Sequence, residues 1–343
     1  MSPYGHQLRA NGPINYFERY IMTQIYSFIS NRSFKSLVLA VVAMCSACSS
    51  DPIPDTEEGK TPIGFGVTES RAPISAASDI QAFSVWARFS NTQTPEMTLM
   101  NGEVVYRDPV DFTYDNTKYW INGTYHFYAI HPSALTGAYD DENLVLNNNT
   151  QSITIPNFNS ASQTDLCVTS ARVSRTYPEG GTGDVTFNLR HTLTQVKVSL
   201  FKSDGNSSDA IVIKSVQLSG MKETGTYTVT GNTGAWSNLQ DTYTWYQSLN
   251  QNNVLNLSSG TAVMATALLI PQTIDEKTLV LTVNFTVNGK ADMKTLNLPA
   301  ITWTENSIVN YKCSLSVKHD IVLGTVTVTP WGEMEAGGTV VIK

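Results

Sequence analysis

The run Phe83-Ser-Val-Trp-Ala-Arg-Phe89 alternates apolar with small or polar residues. The same period of two returns in Val196-Lys-Val-Ser-Leu200, Leu279-Val-Leu-Thr-Val-Asn-Phe285 and Thr325-Val-Thr-Val-Thr329. Such alternation turns one set of side chains to a core and the other to water, the pattern of antiparallel strands in a sandwich. Turn chemistry separates these runs at Asn101-Gly102, Asn122-Gly123, Asp204-Gly205 and Asn288-Gly289. No long segment beyond the N-terminal region repeats at 3.6 residues. The chain reads as all-β.

Composition agrees. The 343 residues are 41% hydrophobic and only 15% charged, which excludes a disordered chain or a coiled coil. Twenty-two Lys+Arg against 29 Asp+Glu give a net charge of −7 without a basic cluster, which argues against a nucleic-acid partner. The length suits two domains. Ser174-Arg-Thr-Tyr-Pro-Glu-Gly-Gly-Thr-Gly183 is too rich in Pro and Gly for a central strand and reads as their boundary. The expected domains are residues 72–183 and 184–343.

The N-terminus reads as a leader over residues 1–47. Arg32 and Lys35 precede the run Ser36–Cys48, whose apolar core is too short to cross a bilayer and which closes in small residues, as secretory signals do. Met22 is the better start, leaving residues 1–21 as an over-extended beginning. Ser46-Ala47-Cys48 resembles the end of a bacterial lipoprotein signal, with Cys48 as the lipidated residue. Cys45 is the alternative, disfavoured by the bulky Met44 before it, and an ordinary secretory cleavage near the same place is another. Residues 49–60 are polar and acidic, as a tether is. Only Cys167 and Cys313 remain beyond the leader, too few for a disulfide framework, and both read as buried free thiols.

Several segments, in order, resemble the fimbrillin-like family, the pilin subunits of type V pili. Ile63-Gly-Phe-Gly-Val67 followed by Thr-Glu-Ser-Arg71-Ala72 is similar to that family's strand-then-Arg junction. Lys118-Tyr-Trp120 with Gly123-Thr-Tyr-His-Phe-Tyr-Ala-Ile-His-Pro132, then Thr164-Asp-Leu166, match later blocks, Cys167 replacing a Leu. Phe187-Asn-Leu-Arg-His191-Thr-Leu-Thr-Gln-Val196 resembles the opening of the second domain. Leu269-Ile-Pro-Gln272, Trp303, Asn310-Tyr311 and Val326-Thr-Val-Thr-Pro-Trp331 complete the order.

The resemblance implies two tandem transthyretin-like β-sandwiches, lipoprotein export through the periplasm to the outer membrane, and assembly into a fimbrium on the cell surface. A trypsin-like protease can reach an Arg in a polar loop. Cutting between Arg71 and Ala72 would remove residues 48–71 with the strand Ile63, Gly64, Phe65, Gly66 and Val67. The open groove would recruit a strand from another pilin subunit, giving a homo- or hetero-polymer. The candidate donor is the tail Thr339, Val340, Val341, Ile342 and Lys343, whose residues favour strands. A host or bacterial surface receptor is a further expected partner.

Other chemistry is thinly represented. His126 and His131 are five apart, so on a strand they face opposite sides and make no metal pair. Asp140-Asp141-Glu142 reads as a solvated loop tip, and His191 as a structural histidine. No nucleophile motif or acid pair stands out, so no catalytic residue, metal or cofactor is expected. Trp236, Tyr243, Trp245 and Tyr246 form the one aromatic cluster beside polar loops and could stack on sugar rings. They support the alternative function, a monomeric surface lipoprotein that binds a glycan or other ligand.

Overall fold

The computed structural model describes residues 60–68, 80–109, 111–139, 143–147, 151–169, 172–203, 208–231, 233–249, 253–255, 262–316, 318, 320–331 and 339–340. Cys45, Cys48, Arg71, Ala72, Asp140–Glu142 and Val341–Lys343 lie outside them.

Most of the described residues are strand. In chain order these are β1 (Phe65–Thr68), β2 (Ala82–Ser90), β3 (Met97–Asp108), β4 (Asp111–Thr113), β5 (Gly123–His131), β6 (Val145–Asn147) and β7 (Ser152–Asn159). There follow β8 (Cys167–Thr169), β9 (Val173–Tyr177), β10 (Val185–His191), β11 (Thr194–Lys202), β12 (Ile211–Thr230), β13 (Thr233–Ser248) and β14 (Val254–Leu255). The last are β15 (Val263–Leu269), β16 (Thr273–Ile274), β17 (Val280–Val287), β18 (Lys290–Asn297), β19 (Ile301–Thr302), β20 (Ser307–Leu315), β21 (Ile321–Pro330) and β22 (Thr339–Val340). Two 3-10 turns, Ala134–Thr136 and Ser160–Ser162, are the only helical pieces among the described residues.

An eight-stranded sheet runs β1-β10-β8-β5-β2-β3-β4, with β9 also on β5. It curls around its own core: Phe65 of β1, at one end of the path, lies 5.3 Å ring to ring from Tyr114, just past β4 at the other. A five-stranded sheet, β15-β11-β20-β21-β22, and a seven-stranded sheet, β18-β17-β12-β7-β6 with β13 and β14 on β12, enclose a second core. That core includes Val198, Ile213, Phe285, Trp303 and Tyr311. A third core joins Trp86, Tyr128 and Phe158 to Tyr227, Ile308 and Trp331, so both halves of the sequence share it.

The boundary expected at 174–183 does not separate sheets. That stretch joins β9 to β10, and both are strands of the eight-stranded sheet. Conversely β7, from the first half, pairs with residues 224–230 of β12. The 20-residue β12 has length to spare: its start pairs with β17 and its end with β7. Residues 59–343 accordingly cluster as one compact unit.

Turn chemistry is correct at Asn288-Gly289, where φ values of +47° and +82° close the β17–β18 hairpin in two residues. Asn101-Gly102 differs. It sits inside β3, where the β2–β3 register shifts and Gly102 at φ +75° makes a bulge under Trp86.

Candidate assembly slot and a buried aspartate-cysteine-histidine cluster

Residues 61–68 are held on both flanks. On one side Ile63 N donates to Lys118 O at 2.8 Å and Trp120 N to Thr61 O at 2.9 Å. On the other, β1 runs parallel to β10, from Phe65 opposite Val185 to Thr68 opposite Asn188, and Val185 N donates to Gly64 O at 2.8 Å. The segment therefore fills a slot between β10 and residues 118–120.

Strand alternation sends Ile63 and Phe65 inward, 1% and 4% exposed, with Val67 half-buried behind them. The Phe65 ring also touches Phe127 and stacks against Phe187, with centroids at 5.9 and 5.8 Å. The glycines face the other way. A Cβ at Gly64 would fall 2.0 Å from Asp184 Oδ1, so this position tolerates a side chain only if Asp184 moves. Of the expected processing region the structure thus describes residues 63–67, while Arg71 and Ala72 lie outside the described residues.

The expected donor tail begins on its own chain. Thr339 and Val340 pair antiparallel with Thr327 and Val326, making β22 the outermost strand of the five-stranded sheet. The four aromatics do not share one open face. Trp236 is part-buried, donates from Nε1 to Thr192 O at 2.8 Å and packs beside Phe158 and Tyr227. Trp245 is in the second core with Tyr243 against it, whereas Tyr246, one residue on, points to solvent.

A cluster absent from the sequence reading lies where β8 meets β10. His191 is the direct cross-strand partner of Cys167, and Asp165 precedes Cys167 by two residues. His191 Nδ1 stands 2.8 Å from Asp165 Oδ2 and 3.3 Å from Cys167 Sγ. Trp331 stacks on the imidazole at 4.2 Å, only 7° from parallel. Asp165 Oδ1 is buried without a hydrogen-bond partner. Burial, then the charge and hydrogen bond of Asp165, push the Cys167 thiol well above its ordinary range.

Both neighbours address the same imidazole nitrogen, so the trio is not a nucleophile relay, which needs one nitrogen for each partner. Among the described residues, Asp165, Cys167 and His191 are the group whose ligand atoms lie close enough to hold a metal ion. His126 and His131 do not meet: His126 Nδ1 is 3.0 Å from Ser174 Oγ, and His131 Nδ1 is 2.8 Å from Ala82 O. Both remaining cysteines are buried and free, as expected.

Beside the cluster Arg190 ties the halves together. Its Nη1 is 3.4 Å from Glu305 Oε1 and its Nη2 donates to Tyr227 OH at 2.8 Å, while that hydroxyl donates to Glu305 Oε2 at 2.8 Å. A Cβ at Gly234 would lie 1.8 Å from the Tyr227 oxygen, so the network needs glycine there.

The fold is shared with solved structures. A fimbrial protein from Bacteroides vulgatus superposes with a TM-score of 0.58 at 17% identity, over 79% of this chain and 99% of that one. Candidate cell adhesion proteins from Bacteroides uniformis and Bacteroides ovatus each give 0.50, at 15% and 14% identity. These cover 80% and 79% of this chain and 99% and 97% of theirs. No curated protein matches the sequence. A profile of the fimbrillin-like family matches residues 70–331, and the chain belongs to that family.

Proposed function

We propose that this chain is a fimbrial subunit, structural and adhesive, that reaches the cell surface as a lipoprotein and assembles by strand exchange. The observation that carries the reading is the slot around residues 61–68. It holds an eight-residue segment between two backbone partners, buries Ile63 and Phe65, and lies just before Arg71 in sequence. Cys48 carries the lipid. Cleavage between Arg71 and Ala72 by a trypsin-like protease frees residues 48–71, and the vacated slot takes the tail Thr339–Lys343 of another subunit.

Physical chemistry supports the exchange. Ordering a strand costs about 1–2 kcal/mol per residue, against about 1.5–3 kcal/mol for each large apolar side chain it buries. With two such anchors, a strand cut from the body is held weakly enough to be replaced. Two sandwiches, 72–183 and 184–343, belong to this reading, with β10 lent to the first and the third core locking them into one building block. A ligand-binding monomer draws less support, because its aromatics are dispersed.

The test is limited trypsin digestion of the purified precursor, then unboiled gel electrophoresis. SDS-resistant ladders formed only after cleavage are the expected result. A cleaved protein that stays monomeric would refute the assembly reading.

A further inference from the structure

We propose that Asp165, Cys167 and His191 form a binding site for one divalent transition-metal ion of the zinc type, independent of strand exchange. The imidazole Nδ1, the thiol Sγ and a carboxylate oxygen lie within 4.8 Å of one another. All three side chains are buried, at 9%, 0% and 1% exposure for Asp165, Cys167 and His191. The β8–β10 ladder fixes the backbone of Cys167 and His191, with Asp165 two residues before β8, so little rearrangement is needed to bring the atoms onto one ion.

One buried acceptor in this arrangement is left over. Asp165 Oδ2 and Cys167 Sγ both lie against Nδ1 of His191, and the thiol also hydrogen-bonds the Asp165 carboxylate. Asp165 Oδ1 has no hydrogen-bond partner, although buried acceptors are normally satisfied. An ion on the common side of these atoms gives each lone pair a partner. It draws on Nδ1, Sγ and the Asp165 carboxylate, three protein donors of the types zinc takes.

Charge and ligand softness select the ion. A divalent cation with one thiolate, one carboxylate and one neutral imidazole sums to zero, the cheapest state for ionised groups away from water. Calcium and magnesium want six or more oxygens and are poorly served by sulfur and nitrogen. Zinc and its surrogate cobalt(II) accept all three donor types. Binding releases the Cys167 proton to solvent and leaves the metal oxidation state unchanged. Trp331, stacked on His191, shields the site, so the ion enters as the chain folds.

The test uses the full chain with Cys45→Ser, Cys48→Ser and Cys313→Ser, which leaves Cys167 as the sole thiol, produced in medium containing cobalt(II). The expected product retains a single cobalt ion through gel filtration and shows a thiolate-to-cobalt charge-transfer band in the near ultraviolet. Adding Cys167→Ser should abolish the band, and Asp165→Asn should lower cobalt retention by about tenfold or more. A folded β-rich parent protein without cobalt or without the band overturns the proposal, whatever the variants do. So does a band that survives Cys167→Ser.

Discussion

The Tyr114 hydroxyl donates a hydrogen bond to the carbonyl oxygen of Ile63 at 2.9 Å and accepts one from Lys118 N at 3.0 Å. One phenol thus bridges the two sides of the slot, binding the segment to its wall. Burial pushes Tyr114 up to about 12, so the phenol stays protonated and keeps its donor at any physiological pH. Tyr114→Phe leaves the Ile63 carbonyl short of a partner and should lower precursor stability by about 1–3 kcal/mol. Urea unfolding of both proteins measures this, and the cleaved variant should also form ladders faster than wild type.

Phe65→Ala removes a ring that touches Tyr114, Phe127 and Phe187. A loss of about 3–5 kcal/mol is expected in the uncleaved protein. After cleavage and release of the strand the same substitution should have no effect, because the residue has left with the peptide. Thermal melts before and after digestion check both halves of this expectation.

Gly64→Val forces Cβ into Asp184 Oδ1 and should weaken the segment by about 1–3 kcal/mol. Asp184→Gly in the same protein should recover most of that loss. A double-mutant cycle by urea unfolding reads the coupling directly, and an absence of coupling would mean that the contact is relaxed elsewhere.

Processing and donation separate by mutation. Arg71→Ala should give a stable monomer that never forms ladders after treatment with an Arg-specific protease, whereas deletion of Thr339–Lys343 should give a protein that is cut but cannot donate. Cys48→Ala should abolish incorporation of a tagged fatty acid, and label persisting in that variant would move the acceptor to Cys45 or elsewhere.

Burial holds the His131 imidazole below its ordinary value, outweighing its bond to Ala82 O and the nearby charge of Asp165, while His191 depresses it further. The unfolded chain therefore binds a proton here more readily than the fold does. The associated stability is complete above the unfolded pKa of about 6.5 and is lost as pH falls from there through the folded value. His131→Gln should flatten the decline in urea midpoint between about pH 7 and about pH 5. His126 is likewise depressed, mainly by burial and then by Arg172, and remains in both proteins as an internal reference.

The all-β fold was legible wherever one face of a strand meets water. β17 shows strict alternation in sequence and in burial, and Asn288-Gly289 closes its hairpin as a dipeptide of that kind should. β2 was only half legible. Ser84 and Trp86 lie on the face that simple alternation gives to water, yet both are buried, because β2 separates the first core from the third. The Gly-rich stretch 174–183 is likewise a connection within one sheet, because the eight-stranded sheet takes β10 from beyond it. That a strand runs through Ile63-Gly-Phe-Gly-Val67 was visible in the sequence, but its second partner, residues 118–120, was not, since nothing local marks that pairing. Asp165, Cys167 and His191 were each noticed and never joined. β9 stands between β8 and β10 in sequence but pairs with β5, which lets two distant short strands become neighbours.

The alternation of large and absent side chains in residues 63–67 also sets how a strand in this position responds to tension. A pull that advances it by one residue would carry Gly64 and Gly66 onto the core face and turn Ile63 and Phe65 outward, because a single-residue step inverts every side chain. The outward Ile or Phe would then press against the Asp184 carboxylate, which would have to swing aside. Creep along the slot is therefore penalised at its first step, above all by the loss of two buried side chains, and the strand behaves as a detent that favours staying in register or leaving completely.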